Sequence, residues 1–549
     1  MKTGFRSLHI LGKIGEEPLF KWLFFSLLAA YCLCYAPYGV NETDGGFVTG
    51  LAWQTLQGKT LYGDVVYVRP PLHVWLRAAE MLLLPDRWAI LGERCIFYLK
   101  VGLYSWLGAS VLLRGQRRWA LATFGFVVSA HCYPPMAWHT VDGILFSVAG
   151  IWCATKLRSR PGAIAAVVCV FAAALCKQSF YPVPLVLFAL LLSENDRRRT
   201  GWGSAAFFLC TVLFVSYLYA NGRLANYLAL TGGAAEGGQA LRHGLIDYFR
   251  IRPGVALLSL PFLTIPALYL RKGKYLRPAR LSWYAWIVLL AATYAFEIWR
   301  RQEFTAPFAQ ARLMFWLAAL FGIYAKNADN TLKINVKSLI EKRHFLTLLA
   351  VCWCASVSWG YNLPILFSTP WVFAAMEISR QFQSARQRKV VVAGRLALLL
   401  ILLAVFRLGY EFVYRDGRRS DMRIPLGAVF PRLGGLYSRG ETAALYLDLK
   451  NLTMQYPNFK TLPSFPLANY LTGTRPPLPL DWVVKRESGP ERFQDSVVAA
   501  LRKNGPVLLI EKRYADGIET DPELRLTRRL LHEGLVIDET PHFWVVKWK

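Results

Sequence analysis

Apolar residues in this chain are pooled into blocks instead of being spaced along one face of helices or strands. Residues 396–406 are apolar without a break, and similar blocks recur along the 549 residues, 54% of which are hydrophobic. A half-buried helix or strand keeps one polar face, so its apolar residues follow a period of 3.6 or 2. Blocks that are apolar all round, and that with their flanks approach the roughly 20 residues needed to cross a hydrocarbon core, call for a bilayer as solvent. They fall at 19–38, 95–113, 119–133, 144–155, 163–176, 183–192, 204–220, 255–270, 283–299, 313–325, 345–361, 364–378 and 390–406, about thirteen spans by the window rule. The expected fold class is an integral membrane, all-α polytopic protein.

Charge orients these spans. The formal net charge is +29. No nucleic-acid-binding motif accompanies it, so no nucleic-acid partner is expected. The basic residues fall into one set of alternate loops, among them Arg114, Arg117 and Arg118, then Arg197, Arg198 and Arg199, then Arg386, Arg388 and Lys389. Lysine and arginine collect in cytoplasmic loops. The N-terminus is then cytoplasmic, while the long loops 39–92 and 221–253 and the tail lie outside. Mixed residues including Lys2, Arg6 and Lys13 precede the first block, unlike a cleavable signal peptide. Nearly all ten cysteines sit inside apolar blocks and none lies beyond Cys354; there they act as small hydrophobes. Neither a disulfide framework, a metal centre nor a cofactor is expected.

Past about residue 410 the chain turns polar, with Pro and Gly punctuation and no span. Residues 495–503 read as a helix, Asn504-Gly505-Pro506 as a turn, 507–511 as a buried strand, and 535–538 and 543–547 as further strands. The chain divides into a membrane domain, 1–409, and an extracytoplasmic α/β domain, 410–549. The first outer loop, 39–92, carries amphipathic pieces at 48–56 and 73–84. No internal repeat is visible, unlike the inverted-repeat transporters.

That loop is the richest in chemistry. It runs Asn41-Glu42-Thr43-Asp44-Gly45-Gly46-Phe47, then Gly58-Lys59-Thr60-Leu61-Tyr62-Gly63-Asp64, then Val68-Arg69-Pro70-Pro71-Leu72. Asp44 closes the first span and opens a helix, where a carboxylate complements the helix dipole at the membrane surface. Read by pattern alone, it is either a helix-start residue before a glycine turn or a reactive carboxylate.

The loop resembles the first periplasmic loop of the GT-C glycosyltransferases, especially bacterial relatives of protein O-mannosyltransferases and the lipid A aminoarabinose transferase. Those families read Asp-Glu-Gly, six residues to Ala, Gly-x-x-x-Tyr-x-Asp, then a basic residue and Pro-Pro-Leu. Here Asp44-Gly45-Gly46 is followed at that interval by Ala52, Gly58, Tyr62 and Asp64 fall in step, and Arg69-Pro70-Pro71-Leu72 completes the set. The span count, the outside tail and its Asn469-Tyr470-Leu471-Thr472-Gly473 phrase resemble the family more weakly. Gly45 departs from it by replacing the second acid, so a metal-assisted variant is not expected. The resemblance implies a GT-C fold and Asp44 as the catalytic base of an inverting transfer. The donor would be a polyprenyl-phosphate-linked sugar, and the acceptor a glycan, lipid or protein at the periplasmic face of a bacterial inner membrane.

A phosphate leaving group calls for fixed cations in a partly dehydrated site. Outer-face candidates are Arg69, which could equally brace its loop; Lys177, in a Lys-Gln phrase similar to one in bacterial GT-C relatives and otherwise a snorkelling lysine; and the pair Arg300 and Arg301, which positive-inside disfavours outside and which Glu297 or Glu303 could instead neutralise. Asp64 is expected to position the loop or bind sugar or acceptor hydroxyls. His139 and Asp142 share a helical face at i and i+3, fitting either sugar and acceptor binding or a local hydrogen bond. Arg242, His243, Asp247, Tyr248 and Arg250 would form an acceptor gate. The rival readings are a transporter or flippase of lipid-linked saccharides, which would place charges at mid-span, and a non-catalytic scaffold.

Overall fold

The computed structural model describes residues 17–232, 311–326, 332–334, 336–357, 367–381, 406–407 and 409–548, with isolated positions 246, 260, 281, 282, 285 and 289. The predicted spans 255–270, 283–299 and 390–406 fall outside them but for isolated positions.

The helices run α1 (Glu17–Cys34), α2 (Asp44–Leu56), α3 (Leu72–Leu83), α4 (Ala89–Leu112), α5 (Gln116–Ala130), α6 (His139–Lys156), α7 (Arg160–Cys176), α8 (Val183–Ser193), α9 (Arg197–Ala220), α10 (Leu224–Gly232), α11 (Ala311–Ile323), α12 (Arg343–Ser356) and α13 (Thr369–Gln381). Local chemistry sets several starts. Ser159 accepts the Gly162 amide at 3.2 Å ahead of Pro161 in the first turn of α7, and Asp196 accepts the Arg199 amide at 3.0 Å before α9. Each ties off a free N–H of a first turn.

Among the described residues two helices are long and apolar enough to cross a membrane, Asp86–Leu112 and Arg197–Ala220. The second is only 11% buried along its apolar window and exposes Phe208, Leu209 and Leu213. Others are too short to cross by themselves. The 11 residues of α8 rise about 16 Å at 1.5 Å each, against a hydrocarbon core of roughly 30 Å.

α2 and α3 lie in the first loop. One buried guanidinium ties them to α4: Arg77, 1% exposed, pairs with Glu93 at 2.7 Å and donates to Thr49 Oγ1 at 3.1 Å and the Ala89 carbonyl at 3.2 Å. Glu93 also accepts the Thr49 hydroxyl at 2.8 Å and the Ala137 amide at 2.7 Å. A buried charge is tolerable only when paired and hydrogen-bonded in this way.

The tail contains α14 (Gly440–Gln455), α15 (Glu491–Asn504) and strands β1 (Phe459–Leu462), β2 (Val507–Glu511), β3 (Gly534–Glu539) and β4 (Phe543–Trp548). The sheet order is β1-β2-β4-β3, with β1 parallel to β2 and the other pairs antiparallel. Residues 507–510 of β2 are a continuous apolar run because the strand is central and covered on both faces. Gly505, at φ 52°, ends α15.

The tail domain sits directly on α2. Gly46 and Gly50, one turn apart, form the contact: a Cβ at Gly46 would stand 2.8 Å from Leu467 Cβ, and one at Gly50 2.8 Å from the Pro466 carbonyl oxygen. Trp53 donates to the Thr474 carbonyl at 2.9 Å, and the Val66 amide to the Pro479 carbonyl at 2.8 Å. Arg513 joins Glu42 of the first loop to Glu511 at the end of β2.

Candidate active site

Asp44 is the first residue of α2 and is 6% exposed. Asn41 builds this start: its side-chain oxygen accepts the Thr43 amide at 3.1 Å, the Thr43 hydroxyl at 2.7 Å and the Asp44 amide at 3.1 Å. The Asp44 carboxylate is therefore free to point elsewhere. Its Oδ2 accepts the Tyr414 hydroxyl at 2.9 Å and meets the Arg415 guanidinium at 3.1 Å. Arg415 also donates to Thr43 Oγ1 at 3.0 Å. Arg415 sits at φ 56° at the tip of the hairpin formed by Phe412–Val413 and Gly417–Arg418; non-glycine residues seldom adopt this left-handed region. Both contacts fall on Oδ2, which orients the carboxylate and leaves Oδ1 outside them.

Arg69 lies within electrostatic reach of Asp44. It makes a two-pronged pair with Glu487 of the short helix Lys485–Ser488, at 2.6 and 2.5 Å, and its guanidinium stands 5.4 Å from the Phe47 ring. The charges of Arg69 and Glu487 also bear on Lys177. Lys177 follows α7, is 5% exposed, and donates to Thr140 Oγ1 at 3.0 Å. Among the described residues no carboxylate lies within ion-pair distance of it. Thr140 belongs to the first turn of α6, and so does His139. His139 is 1% exposed, its ring is 5.2 Å from that of His73, and its Nδ1 has no hydrogen-bond partner among the described residues. Tyr67 holds the His73 ring, hydroxyl to Nε2 at 2.8 Å. The structure thus gathers Asp44, Arg69, Lys177 and His139 from the first loop, the first turn of α6 and the C-terminal end of α7.

The other candidates stand apart. Asp142 is engaged by Lys100 at 2.7 Å, and Lys100 also binds Glu80 at 2.8 Å. Asp64 closes its own turn, accepting the Thr60 amide at 2.9 Å and hydroxyl at 2.7 Å; the Thr60 hydroxyl, with its amide, holds the carboxyl below the usual range. Asp64 also lines a groove of about 670 Å³ between the first loop and α15, with Lys59, Asn226, Phe493 and Lys503. Arg300 and Arg301, and the gate residues Arg242, His243, Asp247, Tyr248 and Arg250, lie outside the described residues.

Sequence reading missed Glu487, Tyr414 and Arg415, whose partners lie 418, 370 and 372 positions away. No local pattern marks such pairs. It also passed over Lys100, which carried a usable signal as an ionisable residue inside an apolar block.

No family model matches the chain, and no curated protein matches it. Among solved structures it is similar to the oligosaccharyltransferase AglB from Archaeoglobus fulgidus, in complex with an inhibitory peptide and a dolichol-phosphate. The identity is 12% over 93% of this chain and 72% of that one, with a TM-score of 0.45. It is similar also to ArnT from Cupriavidus metallidurans, in the apo state at 16% identity and TM-score 0.41, and bound to undecaprenyl phosphate at 14% and 0.38. Each of these covers 96% of this chain and 97% of that one. AglB and ArnT are GT-C fold glycosyltransferases. At TM-scores below 0.5, roles for individual residues rest on the geometry above.

Proposed function

We propose that the protein is an inverting membrane glycosyltransferase that moves one sugar from a polyprenyl-phosphate donor to a hydroxyl acceptor on the periplasmic face of a bacterial inner membrane. The observation that carries this reading is Lys177. It is a buried lysine with one neutral hydrogen bond, within electrostatic reach of Arg69 and Glu487. A buried cation without a counter-ion is costly, and a phosphate entering beside it removes that cost. The apolar surface exposed by α9 supports a bilayer setting, from which a lipid-linked donor reaches such a pocket laterally.

In the reaction, the acceptor oxygen attacks the anomeric carbon as the bond from that carbon to the phosphate oxygen breaks. The acceptor proton passes to Asp44 Oδ1, while Tyr414 and Arg415 hold Oδ2. The donor's phosphodiester leaves as a polyprenyl phosphate monoester, whose second negative charge replaces the one lost at Asp44. Lys177 and Arg69 bind the leaving phosphate. His139 presents Nδ1 to the donor headgroup. The tail, seated on α2, covers the site and brings in the acceptor.

Mass spectrometry of lipid co-purifying with the protein tests this. A polyprenyl monophosphate sugar, or its free polyprenyl phosphate, is expected. Consistent recovery of only diphosphate-linked oligosaccharide would favour a different activity.

A further inference from the structure

Glu487 is an anion built into a cation pocket. Its carboxylate is 2% exposed, grips Arg69 through both oxygens, and is the acidic group whose charge bears on Lys177. The segment carrying it is anchored. The Glu487 amide donates to the Val484 carbonyl at 3.1 Å, and Gly489, at φ 66°, packs so closely on α10 that a Cβ there would lie 2.8 Å from Leu230. The carboxylate is therefore a fixed part of the pocket and not a surface group that swings into solvent.

Resting on the donor-phosphate reading above, we infer that Glu487 is a specificity-determining residue that matches the pocket to the singly charged phosphodiester of the donor and disfavours the doubly charged monoester released by the reaction. The charge count is direct. With a phosphate in place to hold Lys177 protonated, Arg69 and Lys177 supply two positive charges and Glu487 removes one, leaving the described part of the pocket at one positive charge. That balances a diester. A monoester, whose second ionisation lies near pH 6, brings one negative charge too many at neutral pH. Glu487 so trades some leaving-group stabilisation for release of the product, the step that often limits turnover.

The test uses the full chain in lipid nanodiscs, with the donor lipid and the polyprenyl phosphate monoester as competing ligands. Glu487→Gln keeps the shape and loses the charge. Its affinity for the monoester at pH 8 should rise by about tenfold or more, as expected for one unit charge removed beside a phosphate in a partly desolvated site, while donor affinity changes much less. Product inhibition should deepen. Glu487→Asp, which keeps the charge, should retain the wild-type ratio of affinities. In the wild type, monoester affinity should fall as pH rises through about 6, a readout that needs no variant. Equal loss of both affinities in Glu487→Gln would make Glu487 a brace for Arg69 and overturn the inference, as would an unchanged ratio or a flat wild-type pH profile. A wild type that binds neither lipid would overturn the donor reading itself, a result distinct from any of these.

Discussion

Replacing Lys177 with methionine separates a binding role from a structural one. The side chain is 5% exposed and has one hydrogen bond, to Thr140 at 3.0 Å. Methionine fills similar volume without the charge. A buried polar group with incomplete partners costs about 1–3 kcal/mol, so Lys177→Met should leave thermal stability in detergent unchanged or raise it. Ligand binding should move the other way. At about 4 Å and an effective dielectric near 20, an ammonium and a phosphate charge attract by roughly 4 kcal/mol, close to three decades in Kd. Scintillation-proximity or fluorescence binding of polyprenyl phosphate in nanodiscs reads this out. A variant that unfolds early while its remaining folded fraction binds the lipid with wild-type affinity would refute the reasoning, and Lys177 would then be a packing residue. Stabilisation together with lost binding is the signature of a residue kept for function.

Other consequences follow from the same geometry. Gly50→Ala drives a Cβ to 2.8 Å from the Pro466 carbonyl and 3.1 Å from Asp481 Oδ2, whereas Gly45→Ala meets nothing closer than 3.6 Å. The first should cost about 1–3 kcal/mol and expose the junction between the tail and the first loop to protease, and the second should do neither. Arg415→Ala leaves Asp44 with Tyr414 alone on Oδ2, so kcat should fall by about 10²-fold, as for a misplaced reacting group, with KM for the donor nearly unchanged. Burial, reinforced by Glu42 and opposed by Arg513, pushes the Glu511 carboxyl up to about 7. A carboxyl whose folded pKa is raised gives stability that is full below its unfolded pKa and is lost as pH rises through the folded one. Stability should therefore decline between about pH 4.5 and pH 7 by roughly 3 kcal/mol, and Glu511→Gln should flatten that slope in pH-dependent melts.

What could be read from the sequence was whatever is contiguous. The Asp44 loop announced itself because its carboxylate, glycines and Arg69-Pro70-Pro71 lie within thirty residues, and both of its amphipathic pieces became helices, α2 opening at Asp44 as its place before the glycines suggested. β2 was legible because 507–510 is apolar throughout and follows a Gly505 turn. The partners of the site were not legible. Glu487, Tyr414 and Arg415 reach the first loop only after the tail has folded back onto it, so nothing near them in sequence signals the contact. The docking role of Gly46 and Gly50 was hidden for the same reason. Their missing side chains matter only against Leu467 and Pro466.

The account stands on Asp44 as the base, and its direct test is Asp44→Asn in a single-turnover assay with a radiolabelled polyprenyl-phosphate sugar, with donor binding measured on the same preparation. The amide keeps the shape and can still accept from Tyr414, so the donor should bind within a few-fold of wild type while transfer falls by about 10²–10⁴-fold, the range for a lost general base. Transfer at the wild-type rate by a variant that binds donor normally would contradict the assignment.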